Sequence, residues 1–67
     1  MKHIVLRLAA ERGMSQNRLA YLLAKTLPAL KSNLRARLPA ERTVFEIARQ
    51  LRVETGELVD ADGRWRQ

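Results

Sequence analysis

No cysteine occurs among the 67 residues. Disulfides and thiolate metal sites are therefore excluded, and a reducing, cytoplasmic setting fits. Without such a staple, so short a chain depends on tight helix packing or on a partner. Burial worth about 25 cal/mol per Å² is nearly cancelled by roughly 1.5 kcal/mol of ordering entropy per residue. Aromatics are equally scarce, with one Trp, one Tyr and one Phe. That leaves few platforms for stacking single-stranded bases, which argues against an RNA reader. No apolar run nears the ~18 residues of a membrane span. The start "MKHIVLRLAA" carries an apolar patch. Arg7 interrupts it and no small-residue cleavage site follows, so no signal peptide is expected. His3 is the one histidine, and no carboxylate pair stands at ligand spacing, so no metal site is expected. "DADG", Asp60 to Gly63, touches the opening of a calcium-loop pattern but lacks its remaining ligands and closing Glu, and reads as a turn. No set of nucleophile, base and orienting group stands out, and no Gly-rich phosphate loop. Neither an enzyme nor a cofactor is expected.

The most informative absence is acid. From Arg12 to Ala40 there is no Asp or Glu, while that window holds Arg12, Arg18, Lys25, Lys31, Arg35 and Arg37. The formal net charge is +6, and this middle block carries all of it. Residues 41–67 hold five Arg against six acids, and residues 1–11 are nearly balanced. A field of one sign over one face is the footprint of a polyanion binder rather than of a generally basic surface.

What is present reads as short helices with tight breaks, in one domain over 1–60 and a short tail over 61–67. The first helix, about 3–12, puts Val5, Leu8 and Ala9 on one face and stops at Gly13. A short strand over "HIVLRL" is the alternative there, because Ile4 and Val5 are β-branched. The second starts at Ser15 as N-cap and carries Leu19, Leu22 and Leu23, ending near Ala24. Tyr21 lies beside that stripe and is expected half-buried. The third starts at Thr26, with Pro28 in its first turn, and Leu27, Leu30, Leu34 and Leu38 span one sector. Its outer sector holds Pro28, Ala29, Ser32, Asn33 and Ala36, flanked by Lys31, Arg35 and Arg37. Pro39 breaks the chain. The fourth, about 40–51, buries Val44, Ile47, Ala48 and Leu51, with Phe45 beside them. The fifth, about 55–59, is anchored by Val53 and Leu58. The tail has turn composition and is expected to be mobile. Trp65, between Arg64 and Arg66, has three readings: packing back on the bundle, joining a dimer contact, or lying on a phosphate backbone.

The order of elements carries a resemblance. "LAAERGMSQNRLAYLLAKT" resembles the opening of a Cro/cI-type (Xre family) helix-turn-helix domain, in Arg12-Gly13, Met14-Ser15-Gln16, Leu19-Ala20 and Leu23. "PAERTVFEIARQLRVETGELVD" is similar to the family's closing helices, in Ile47-Ala48, Leu51, Val53 and Glu57-Leu58. The resemblance covers about residues 4–60. It implies an all-α, lambda-repressor-like bundle of about five short helices. In that fold the helix at about 26–37 lies in the major groove of double-stranded DNA, and a homodimer binds a two-fold operator. The implied role is a sequence-specific transcriptional regulator, such as a small repressor. Two departures stand out. The family's tight turn usually has Gly where Ala24 stands and an apolar residue where Lys25 stands, so Leu27 is expected to supply that contact. Asn33 occupies a position where the pattern expects an apolar residue.

On this reading Gln16 contacts a phosphate, with Asn17 beside it in the first turn of the second helix. Ser32 and Asn33 are the candidates for base edges, since Asn can bond adenine N6 and N7 together. Pro28 and Ala29 can only offer apolar contact to a thymine methyl. Lys31, Arg35 and Arg37 are candidate phosphate clamps. The apolar opening Leu27-Pro28-Ala29 also supports a second reading. The same fold could serve as a protein-interaction module, such as an anti-repressor, antitoxin-type or inhibitor subunit.

Overall fold

Local signals fix where each helix begins. The computed structural model describes residues 2–67. Helix α1 spans Ile4–Glu11, and the His3 ring opens it by accepting the Val5 N–H at Nδ1, 3.1 Å away. Helix α2 spans Gln16–Leu22, with Ser15 Oγ accepting from Arg18 N at 3.0 Å. Helix α3 spans Leu27–Arg35, with Thr26 Oγ1 accepting from Ala29 N at 3.2 Å. Such caps satisfy N–H groups that the first helical turn cannot. Helix α4 spans Glu41–Leu51 and α5 spans Thr55–Leu58, where Glu57 reaches back to accept the Glu54 N–H at 2.9 Å.

Three helix ends share one device. After α1, Met14 N donates to Ala9 O and Gly13 N to Ala10 O, both at 2.9 Å. After α2, Lys25 N donates to Ala20 O at 2.9 Å and Ala24 N to Tyr21 O at 3.0 Å. After α4, Val53 N donates to Ala48 O at 3.0 Å and Arg52 N to Arg49 O at 3.2 Å. This paired closure needs one left-handed residue. Those residues are Gly13, Ala24 and Arg52, at φ 69°, 56° and 58°. Glycine fills one of the three positions; the other two carry a Cβ that disfavours the conformation.

The core gathers a stripe from every helix: Val5 and Ala9, Leu19 and Ala20, Leu30, then Val44, Ile47, Ala48 and Leu51, and Leu58. Small Ala9, Ala20 and Ala48 let the backbones approach, as α1 packs on both α2 and α4. Leu27 packs on this core from the start of α3. The Cα radius of gyration is 10.6 Å, close to the roughly 11 Å of a well-packed chain this long. The fold is therefore an all-α bundle of five helices, with no regular strand among the described residues.

Several expectations change. The stretch "HIVLRL" is helical from Ile4 on and not strand: a strand would put Arg7 on the same face as Val5 and Ala9, whereas the helix buries Val5 and Ala9 and leaves Arg7 exposed. The third helix ends at Arg35 rather than near residue 37, so Arg37 sits in the following bend. Leu38 therefore leaves the leucine stripe and is 65% exposed. Tyr21 is 73% exposed rather than half-buried, its ring lying under the Arg18 guanidinium at 5.6 Å. Phe45 is 55% exposed.

The tail is folded back rather than loose. Asp60 Oδ1 accepts from Asp62 N at 2.9 Å and Arg64 N at 3.2 Å, so "DADG" makes the expected turn. Asp60 N donates to Arg64 O at 2.9 Å and Arg66 N to Leu58 O at 2.8 Å, with Val59 and Trp65 paired antiparallel. Strand-like alternation then sends Trp65 inward. Its indole packs on the core and donates from Nε1 to Asn33 O at 3.4 Å. Of the three readings of Trp65, the fold takes the first.

Candidate functional site

The site is built on the side of α3 that turns away from Leu30. Leu30 is fully buried, and Leu27 and Leu34 rest on the core beside it. At 100° per residue, this orients Pro28, Ala29, Lys31, Ser32 and Arg35 outward, and all five are exposed or partly so. The outer face is thus small and uncharged along its middle, with cations on one flank. Ala29 and Ser32 allow close approach of a partner surface to the helix backbone.

Helix α2 contributes Gln16, exposed in the first helical position. Gln16, Lys31 and Arg35 line one shallow depression of about 330 Å³ together with His3, Leu6 and Leu34. Three residues singled out from sequence therefore meet across α2 and α3. Arg35 and Arg37 line a larger adjoining cleft of about 510 Å³. Asn17 is exposed beside Gln16 but lines neither depression.

Asn33 behaves differently. It is half-buried, and its Oδ1 is enclosed without a hydrogen-bond partner. The Trp65 indole closes over its carbonyl. Asn33 therefore does not share the outer face with Ser32. The inward turn follows from the helix register set by Leu30 and Leu34.

Not every cation of the acid-free block is free. Arg12 Nε donates to Leu51 O at 2.6 Å and its Nη1 to Leu8 O at 3.0 Å. That guanidinium joins the ends of α1 and α4 and serves the fold. Arg18 is engaged with Tyr21. Among the described residues the ion pairs are Arg12–Glu11 at 3.9 Å and Arg42–Glu46 at 3.4 Å. Lys31, Arg35 and Arg37 have no carboxylate partner among them, so their field is uncompensated.

His3 joins the floor of both depressions. Its ring meets Trp65 edge-on, with centroids 4.9 Å apart and planes at 73°. Burial pushes the imidazole below its ordinary pKa, and the nearby Leu34 backbone opposes this in part. A neutral His3 suits its cap, because Nδ1 must remain an acceptor for Val5 N–H.

Sequence reasoning missed Lys2 and Arg64, which come from opposite ends of the chain to line the same cleft as Arg35 and Arg37. The only signal was the alternation Arg64-Trp65-Arg66, which places the two arginines on the same side once Trp65 turns inward. Comparison with protein-family models, curated proteins and solved structures finds no match to this chain. No helix among the described residues is long and apolar enough to cross a membrane.

Proposed function

We propose that the chain is a sequence-specific DNA-binding transcriptional regulator of the Cro/Xre helix-turn-helix kind, with α3 as the helix that enters the major groove. The observation carrying this reading is the outer face of α3: small in the middle, with Lys31 and Arg35 unpaired beside Gln16 of α2. Small residues let the helix backbone come close to a groove floor, and unpaired cations beside them can meet the flanking phosphates. In this reading Ser32 bonds a base edge, Ala29 and the Pro28 ring touch thymine methyls, and Lys31, Arg35 and Arg37 grip phosphates. Gln16 holds a phosphate at the edge of the site, with Asn17 next to it. A nine-residue α3 reads only a few base pairs, so two copies on a two-fold operator are part of the proposal.

The test is a mobility-shift selection from random duplex at moderate salt. Enrichment of a two-fold motif supports the reading; recovery of no preferred sequence refutes specific recognition. One observation favours the second reading, a protein-interaction module. Pro28 and Ala29 face outward at one end of α3, and Leu38 is 65% exposed beyond the other. A partner captured by the chain and retained after nuclease treatment, with loss on Pro28→Asp, would favour it.

A further inference from the structure

The cleft beyond the end of α3 is assembled from three parts of the chain. Lys2 comes from the N-terminal end, Arg35 and Arg37 from α3 and the bend after it, and Arg64 and Arg66 from the C-terminal hairpin. Its lining includes no Asp or Glu side chain. Arg66 Nε is tied to Gly56 O at 2.7 Å, but Lys2, Arg35, Arg37 and Arg64 make no side-chain hydrogen bond or ion pair among the described residues. Four free cations around one concavity repel each other unless an anion lies between them. The fold holds them there regardless. Trp65 is packed on the core and bonded to Asn33 O, and the Asp60 turn fixes Arg64 beside it.

The helix end itself is made ready. The C-terminal carbonyls of a helix carry partial negative charge that would oppose a phosphate. Here the Trp65 indole N–H and Ala36 N both donate to Asn33 O, at 3.4 and 3.3 Å. Part of the repulsive end is thereby covered, leaving the cations outermost. The cleft also adjoins the depression of Gln16, Lys31 and Arg35, since His3, Leu34 and Arg35 line both. One cationic track thus runs from the start of α2, along the flank of α3, to the hairpin.

We propose that this cleft is a second phosphodiester-binding site, through which the C-terminal hairpin and Lys2 clamp the duplex backbone beyond the segment α3 reads. This rests on the DNA-binding reading above and extends it to residues 2 and 64–66. The expected ligand is the phosphate run of a duplex strand, and Trp65 anchors the hairpin without stacking on bases.

Trp65 is the only Trp, so its fluorescence reports directly on the cleft. The full chain is titrated with duplex, and with inorganic phosphate at matched ionic strength. The expected result is a saturable emission change with duplex, at the midpoint seen by mobility shift, and none with inorganic phosphate. Saturation by inorganic phosphate would overturn the proposal in favour of a small-anion site. The double variant Lys2→Gln, Arg64→Gln should melt like the parent. Its plot of log affinity against log salt should be shallower by about 1–2, because each phosphate left without its cation takes roughly 0.9 off the slope. Arg49→Gln, on the exposed side of α4, should leave the slope as it is. An unchanged slope in the double variant, with the parent still binding, overturns the cleft proposal alone. A parent that binds no duplex overturns the DNA reading as well.

Discussion

Ala24 is one of two positions where a residue with a Cβ occupies the left-handed region. It stands at φ 56° in the turn joining α2 to α3, between two hydrogen bonds that close the end of α2. A Cβ in the left-handed region costs about 1–2 kcal/mol. Ala24→Gly removes that cost, and the side chain is exposed, so little packing is sacrificed. Glycine also widens the unfolded ensemble, which takes back about 0.4–1 kcal/mol. The net expectation is a stabilisation of about 0.5–1 kcal/mol, or a rise in Tm of about 3–6 °C for a domain this small. Thermal melts followed by circular dichroism measure it. Ala10→Gly, at an exposed position inside α1, is the control and should lower Tm, since glycine costs up to about 1 kcal/mol in a helix. If Ala24→Gly lowers Tm as Ala10→Gly does, the left-handed turn is not how α2 meets α3. The orientation of α3 would then need another origin.

Two further outcomes follow from buried polar atoms. His3 is held below its ordinary pKa by burial, so the unfolded chain takes up a proton more readily than the folded one. The His3 contribution is then fully present above about pH 6.5 and is lost as pH falls through the lower folded-state value. Melting between about pH 7.5 and about pH 5.5 should show this decline, and His3→Asn, which can still cap α1, should flatten it. An equal decline in the variant would place the sensitivity elsewhere. Asn33→Leu removes an enclosed Oδ1 without a partner, which should raise stability by about 1 kcal/mol. Duplex affinity should stay within about twofold; a large drop would restore Asn33 to the base-reading face.

The helices were legible because their signals are local. Ser15, Thr26 and Gly13 mark boundaries within a few residues, and the leucine spacing of α3 and the stripe of α4 set the buried faces. The cationic flank of α3 was legible for the same reason, since Lys31 and Arg35 fall beside the Leu27, Leu30 and Leu34 stripe in a known register. What escaped depends on partners far along the chain. Trp65 meets Asn33 across 32 positions, and no pattern within the tail announces that partner. The same contact covers the end of α3 and brings Arg64 to the cleft that Arg35 lines. Arg12 looked like part of the cationic field until its guanidinium met the Leu51 carbonyl, 39 positions away. The role of Ala24 was visible only because the resemblance places Gly in that turn.

The central claim is that unpaired cations on α3 and just after it hold a duplex by its phosphates. The most direct measurement is the salt dependence of duplex affinity for the parent and for the charge-reversed variant Lys31→Glu, Arg35→Glu, Arg37→Glu. The account predicts a steep parent slope, roughly −3 to −5 for three to five phosphate contacts, and loss of binding in the variant with its fold intact. A folded variant that binds duplex as tightly as the parent, with the same slope, would contradict it.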